Sequence, residues 1–179
     1  FCDHCYRESG EQAAGELDTM QAKKLIEEVA KAGFKIMIFS GGEPMTRPDI
    51  YELIAHARAQ GLRPVLGSNG SLITPEAAVK LKEAGLMGAG ISLDSLDKDK
   101  HDALRKLDGA WDLAVAGMKN CLAAGLREQI HTTVMDWNQE EVEAITDFAV
   151  ELGASAHHIF FLVPTGRGEK IVDQALKRE

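Results

Sequence analysis

Five glycines set the rhythm of this 179-residue chain. Gly33, Gly61, Gly85, Gly125 and Gly153 each end an amphipathic stretch and lead into a short run rich in Ile, Val, Leu or Phe. Glycine takes the left-handed conformation that closes a helix, which most residues resist. The runs that follow, 35–40, 63–69, 88–94, 128–135 and 156–164, are apolar at nearly every position. That pattern predicts parallel strands covered on both faces, in five helix–glycine–strand units. Helix starts agree. Thr74-Pro75-Glu76 offers a cap, a first-turn proline and an acid for the helix dipole, and Asn138-Gln139-Glu140-Glu141 repeats the logic. Beyond it, Val142, Ile145, Phe148, Ala149 and Leu152 recur at helical spacing and define one buried face. Repeated βα units give an α/β fold, either a doubly wound sheet or a full or partial barrel, and in both the ligands bind at the carboxyl ends of the strands. The polar stretch 94–108 reads as an excursion after the third strand, with the alternating charges at 97–100 as a solvated loop.

Composition narrows the function. A hydrophobic content of 45% with mean hydropathy of −0.16 suits one globular domain with a sizeable core. The longest apolar run, 159–164, is strand-sized and far short of the roughly 20 residues a membrane helix requires, so no membrane span is expected. A net charge of −8 without a Lys/Arg stripe argues against nucleic acid as a partner. Three cysteines, Cys2, Cys5 and Cys121, make no disulfide framework; they favour a reducing, cytoplasmic setting and a metal or redox role.

The residues just past each predicted strand are Ser40-Gly41-Gly42-Glu43-Pro44, Ser68-Asn69-Gly70, Ser92-Leu93-Asp94, Thr132-Thr133 and Pro164-Thr165-Gly166. All but the last cluster are small and hydrogen-bonding, a rim suited to a compact zwitterionic or hydroxylated ligand. Ordinary turns remain the plainer alternative for any one cluster, and Glu43 reads equally as a helix-start acid. Cys2-Asp3-His4-Cys5 is a Cys-x2-Cys pair, open on its own to zinc, dithiol or iron–sulfur chemistry. Cys121, in a helix over about 111–124, reads as a buried structural thiol. His157 and His158 are adjacent on a strand, point to opposite faces, and so make a poor metal pair.

The cysteine pair, followed one βα unit later by Phe39-Ser40-Gly41-Gly42-Glu43-Pro44, resembles the last two cysteines of the radical S-adenosylmethionine (SAM) Cys-x3-Cys-x2-Cys motif and the Gly-Gly-Glu-Pro motif of that superfamily. The likeness continues through Ser68-Asn69-Gly70, Ile91-Ser92-Leu93-Asp94 and His101-Asp102-x2-Arg105. It implies a core domain spanning 1–179, cut within the cysteine motif and lacking a C-terminal region. The fold it implies is a partial (β/α)6 TIM-like barrel with its first strand upstream of the chain. Cys2 and Cys5 would ligate a [4Fe-4S] cluster whose third cysteine lies three residues before Phe1, with His4 tuning its surroundings. Gly41, Gly42 and Glu43 would hold the SAM ammonium through backbone carbonyls and the Glu43 carboxylate, with Ser40 beside them as a further cofactor-binding residue. Ser68, Asn69, Ser92 and Asp94 would meet the ribose and methionine portions, and Arg105 the carboxylate. Thr132, on the strand segment 130–134, and Leu162 would flank the adenine.

The implied chemistry is a one-electron cleavage of SAM to a 5′-deoxyadenosyl radical that abstracts hydrogen, fed by a low-potential donor such as ferredoxin or flavodoxin, with no side chain acting as a general base. His4-Cys5-Tyr6-Arg7 and Pro164-Thr165-Gly166-Arg167-Gly168 are similar to the branch that modifies sirohaem-derived tetrapyrroles in haem or haem-d1 biosynthesis. Peptide-modifying maturases with auxiliary clusters share most of these motifs. An iron–sulfur electron-transfer or scaffold protein would need the cysteines but not the polar rim. A cluster-free lyase or aldolase barrel would need a strand-end lysine or paired carboxylates, and neither is found.

Overall fold

The computed structural model describes residues 2–11 and 13–177; Phe1, at the head of the cysteine motif, lies outside them. Five parallel strands pair in chain order: β1 (Ile36–Phe39), β2 (Arg63–Ser68), β3 (Gly88–Ser92), β4 (Arg127–Val134) and β5 (Ala156–Phe161). Each falls within one or two residues of a predicted run at its start. The helices are α1 (Thr19–Lys31), α2 (Ile50–Ala59), α3 (Pro75–Glu83), α4 (Lys98–Arg105), α5 (Ala110–Ala123) and α6 (Val142–Leu152).

Strand order that equals chain order means every crossover steps the same way, and right-handed crossovers then put all the helices on one face. Neighbouring helices do touch, α1 with α2, α2 with α3 and α3 with α5. The sheet is therefore an arc of a barrel, not a doubly wound sheet. One expectation changes with it. Helices cover the strands on their convex side only, where Leu66, Ile91 and Ile130 are buried. Ile36 and Ile38, on the concave side of β1, are 52% and 64% exposed.

Local chemistry explains the helix starts. Thr74 caps α3 as predicted, its Oγ1 accepting from the Ala77 N–H at 3.1 Å. Asn138 does not cap; its Oδ1 accepts from Met135 N at 2.7 Å and its Nδ2 donates to the Asp94 and Thr133 carbonyls. A short 3-10 turn, Gln139–Glu141, leads into α6 instead. The charged stretch after β3 is not a loop. Asp97 caps α4, accepting from the Asp99 and Lys100 N–H groups, and the helix buries His101 and Leu104. Two buried side chains anchor what charge pattern alone marked as solvated.

Glu128, on the helix side of β4, is fully buried, and neither carboxylate oxygen has a partner among the described residues. Burial pushes its pKa up to about 8, and the adjacent Cys121 thiol goes up to about 12, through burial and then the neighbouring Glu128 charge. An acid whose folded pKa is raised binds a proton in the folded state that the unfolded chain releases, so stability falls as pH rises from about 4.3 toward that folded pKa, by about 1.4 kcal/mol per unit. Urea midpoints of the parent are expected to drop across this window. Glu128→Gln should flatten the profile and gain on the order of 3 kcal/mol at about pH 6.5; parallel profiles would show that Glu128 does not titrate there.

Candidate cofactor site

The rim at the carboxyl end of the sheet is held together by one side chain. Glu43, just past β1, accepts from Ser68 Oγ–H at 2.8 Å and Met45 N–H at 3.1 Å on Oε1, and from Asn69 N–H at 2.8 Å on Oε2. It thereby ties the end of β1 to the end of β2 and starts the 3-10 turn Pro44–Thr46. Burial raises its pKa, opposed by the bonds from Asn69, Ser68 and Met45. Ser68 in turn accepts from Gly70 N–H, and Asn69 Oδ1 from Ser71 N–H. Gly41 sits at φ +144°, a conformation that side chains rarely adopt. The carbonyls of Gly41 and Gly42 accept no hydrogen bond among the described residues. The rim thus offers free backbone oxygens, while both oxygens of the Glu43 carboxylate are engaged within the chain. Glu43→Gln, which turns an amide N–H toward protein donors, is expected to cost about 2 kcal/mol, read as a lower urea midpoint.

A second group gathers after β3. Asp94 is fully buried; its Oδ2 accepts from Arg105 Nε at 2.8 Å and Nη2 at 2.5 Å, and its Oδ1 from Thr133 N–H at 3.0 Å. Burial opposes ionisation of Asp94, but the charge of Arg105, with His4, His101 and the Thr133 bond, holds its pKa below the usual range. Asp94 N–H donates to His101 Nδ1 at 3.2 Å. The guanidinium is fixed on two of its nitrogens, and the third, Nη1, stands 4.0 Å from Cys2 Sγ.

That contact brings the cysteine loop into the site. Asp3 N–H donates to the Leu104 carbonyl at 3.0 Å, and Cys5 N–H to the Cys2 carbonyl at 3.3 Å. Ser9 N–H donates to Cys5 Sγ at 3.4 Å. Burial pushes the Cys5 thiol up, but the bonds from Ser9 and Arg7 and the Arg167 charge outweigh it, and the net direction is down. His4 is neutral at ordinary pH, its pKa lowered to about 4 by burial and then by Arg105. Its Nδ1 is buried without a partner among the described residues.

The chain therefore brings together Cys2, Cys5 and Arg105 as one group, and Ser40, Gly41, Gly42, Glu43, Ser68 and Asn69 as another. Ser92, at the end of β3, is half-buried on the concave side with the partly exposed Asn69 one strand away. Two candidates stand apart. Thr132 is on the helix side, its Oγ1 donating to the Leu93 carbonyl at 2.6 Å and meeting His157 Nε2 at 2.9 Å. Leu162 is buried in a small cluster with Leu104 and Met135.

Sequence reading missed the concave face of β4 and β5. His131 stacks on His158 with centroids 5.1 Å apart, and Phe160 meets His131 edge-on at 5.3 Å. The His131 ring occupies the space a side chain at Gly90 would need; a Cβ there would lie 2.1 Å from its Cε1. Burial first, then His158 and His157, lowers the His131 pKa to about 4, so this imidazole is neutral too. The two-residue period of β4 could have flagged His131 as a partner of Thr133 on the open face. As expected, His157 points the other way, bridging Thr132 and Thr146.

The donor set fits an iron–sulfur site with a bound amino acid group. Two thiols lie in one turn beside a fixed guanidinium, and unpaired glycine carbonyls can accept from an ammonium. Among the described residues, no group of three His, Cys, Asp or Glu side chains is placed to hold a metal ion, so Cys2 and Cys5 are a partial set. No helix of the described residues is long and apolar enough to cross a membrane.

Comparison with known proteins supplies the family. The sequence pattern of the Radical SAM superfamily matches residues 1–149. An AdoMet-dependent heme synthase of Methanosarcina barkeri (strain Fusaro / DSM 804) is 45% identical over 170 residues, covering 94% of this chain and 49% of that protein. An Fe-coproporphyrin III synthase of the same organism is 38% identical over 179 residues, covering 99% and 45%. The chain thus spans about half the length of the curated relatives it matches. Streptococcus suis SuiB, in its crystal structure bound to S-adenosylmethionine, shares the fold with a TM-score of 0.82 at 17% identity, over 99% of this chain and 40% of SuiB.

Proposed function

This chain belongs to the radical SAM superfamily, and from that membership we propose that it is the cofactor-binding core of an enzyme that modifies a tetrapyrrole by hydrogen abstraction. The observation that carries the reading is the convergence of the cysteine loop on Arg105, beside a rim whose free acceptors are glycine carbonyls. The tetrapyrrole is supported by the relatives named as heme and Fe-coproporphyrin III synthases.

When bound, a [4Fe-4S] cluster and SAM together supply a one-electron cleavage that yields a carbon radical. Cys2 and Cys5 would hold the cluster. Gly41 and Gly42 would accept from the SAM ammonium through their carbonyls, with Glu43 setting the loop rather than binding. Arg105, locked by Asp94, presents Nη1 to a carboxylate and needs no reorientation to do so. Asn69 and Ser92 would meet hydroxyls, and His131, His158 and Phe160 wall the concave face on which a substrate would lie. A ferredoxin or flavodoxin would supply the electron.

The full-length protein, reconstituted anaerobically, is expected to show a reduced [4Fe-4S] electron paramagnetic resonance signal and to release 5′-deoxyadenosine with dithionite. Release should accelerate when a carboxylate-bearing iron tetrapyrrole is added. No cluster, or no SAM cleavage, defeats the reading as a whole. Cleavage that responds to a precursor peptide and not to the tetrapyrrole defeats only the substrate assignment.

A further inference from the structure

The segment after β5 does more than continue the chain: it closes on the cysteine loop from the far end of the sequence. Arg167 Nε donates to the Cys2 carbonyl at 2.8 Å. The Arg167 backbone N–H donates to the Cys5 carbonyl at 3.0 Å. Between them the two bonds hold the peptide on both sides of the Cys-x2-Cys turn. Gly166, at φ +57°, makes the approach possible: a Cβ there would lie 2.7 Å from the Tyr6 carbonyl oxygen and 2.8 Å from that of Cys5. Those neighbours are backbone and cannot swing aside. Gly168 N–H donates to the Thr165 carbonyl at 3.0 Å, closing the turn that aims the Arg167 side chain.

Resting on the cluster reading above, we propose that Arg167 is a positioning residue for the cluster loop, with Gly166 as the contact that lets it reach. A Cys-x2-Cys turn has little regular structure of its own. Here the Asp3 bond to Leu104 restrains one side of it, the Cys2 thiol lies beside Arg105, and Arg167 restrains the carbonyls of both cysteines. The side chain leaves the sulfurs free: its guanidinium holds the Cys2 carbonyl, and the backbone N–H of the same residue holds that of Cys5. Preorganisation of this kind lowers the ordering cost of metal capture without adding a ligand.

The test uses full-length protein and the Arg167→Ala, Arg167→Lys and Gly166→Ala variants, with two readouts. In apo protein under denaturant-free conditions, alkylation of Cys2 and Cys5 is followed by peptide mass spectrometry, with Cys121, buried in α5, as the internal control for global opening. Arg167→Ala should raise the Cys2 and Cys5 rates roughly tenfold, the factor set by one lost charge-assisted hydrogen bond, while the Cys121 rate stays at the parent value. Arg167→Lys should recover part of the protection, and Gly166→Ala should resemble Arg167→Ala. After anaerobic reconstitution, iron and sulfide per chain should fall in the same order. Unchanged Cys2 and Cys5 rates overturn the proposal, and so does Cys121 exposed in step with them, which would make Arg167 a general stabiliser. Should the parent itself take up no cluster, the cluster reading fails, and the alkylation order still decides whether Arg167 holds this loop.

Discussion

Asp94→Ala is expected to remove roughly 3 to 5 kcal/mol of folding stability, because it leaves a buried guanidinium without its counter-charge. The Arg105 side chain is 11% exposed and that of Asp94 fully buried. Truncating Asp94 also takes the acceptor from Thr133 N–H, at the end of β4. The one side chain therefore joins β3, α4 and β4 beneath the cysteine loop. The sign of its pH dependence is opposite to that of Glu128. A carboxyl held below its usual pKa contributes stability that is present above about pH 4 and is lost as acid protonates it. The parent should therefore weaken below pH 4 more steeply than Asp94→Asn, which keeps the shape without the charge. Urea titrations at pH 7 and pH 3.5 give both quantities. An Asp94→Ala midpoint within error of the parent at pH 7 would falsify the pairing.

Gly117→Val should come next in size. Where α5 crosses the loop after β2, a Cβ on Gly117 would lie 2.6 Å from the Gly70 carbonyl oxygen, and one on Gly70 would lie 2.8 Å from Ile91 Cγ2 and 3.1 Å from Ala114 Cα. Both contacts are with a crowded backbone or a buried side chain, so the helix must move away or the loop must give. Overpacking of this kind costs about 3 kcal/mol, and a chain of this size then melts roughly 6 to 12 °C lower. The displaced loop carries Ser68 and Asn69, which hydrogen-bond Glu43. Cofactor affinity should consequently fall even at temperatures where the variant stays folded. Gly117→Ala, with the same Cβ but no branches, should lie between parent and Val; a Val variant melting with the parent would show that the crossing is looser than the geometry requires.

The parts readable from sequence were those written in local chemistry. Helix-closing glycines and apolar runs located β1 to β5, and the polar residues at their ends located the rim. Three features depended on contacts that no local period encodes. The burial of His101 and Leu104 turned the 97–100 charge run from loop into helix. The stacking of His131 requires the register that sets it opposite His158 and the absence of a side chain at Gly90, on a third strand. Arg167 meets a loop 165 residues away along the chain. Its Pro-Thr-Gly-Arg-Gly phrase was legible as a motif, but its partner was not. Covering of the strands failed as an expectation for a related reason: an apolar run shows that a strand avoids water on one face, and whether its second face is covered depends on the winding of the whole sheet.

The tether at Glu43 bears on the thermodynamics of ligand capture. Three of the roughly four acceptor positions of its carboxylate are taken by Ser68, Asn69 and Met45 of the same chain. The cradle is therefore assembled by folding, before any ligand arrives. A site that had to gather these loops on binding would show a large unfavourable entropy from ordering them. Here calorimetry of SAM binding should register little such cost, and the temperature at which affinity collapses should track the melting of the fold rather than precede it.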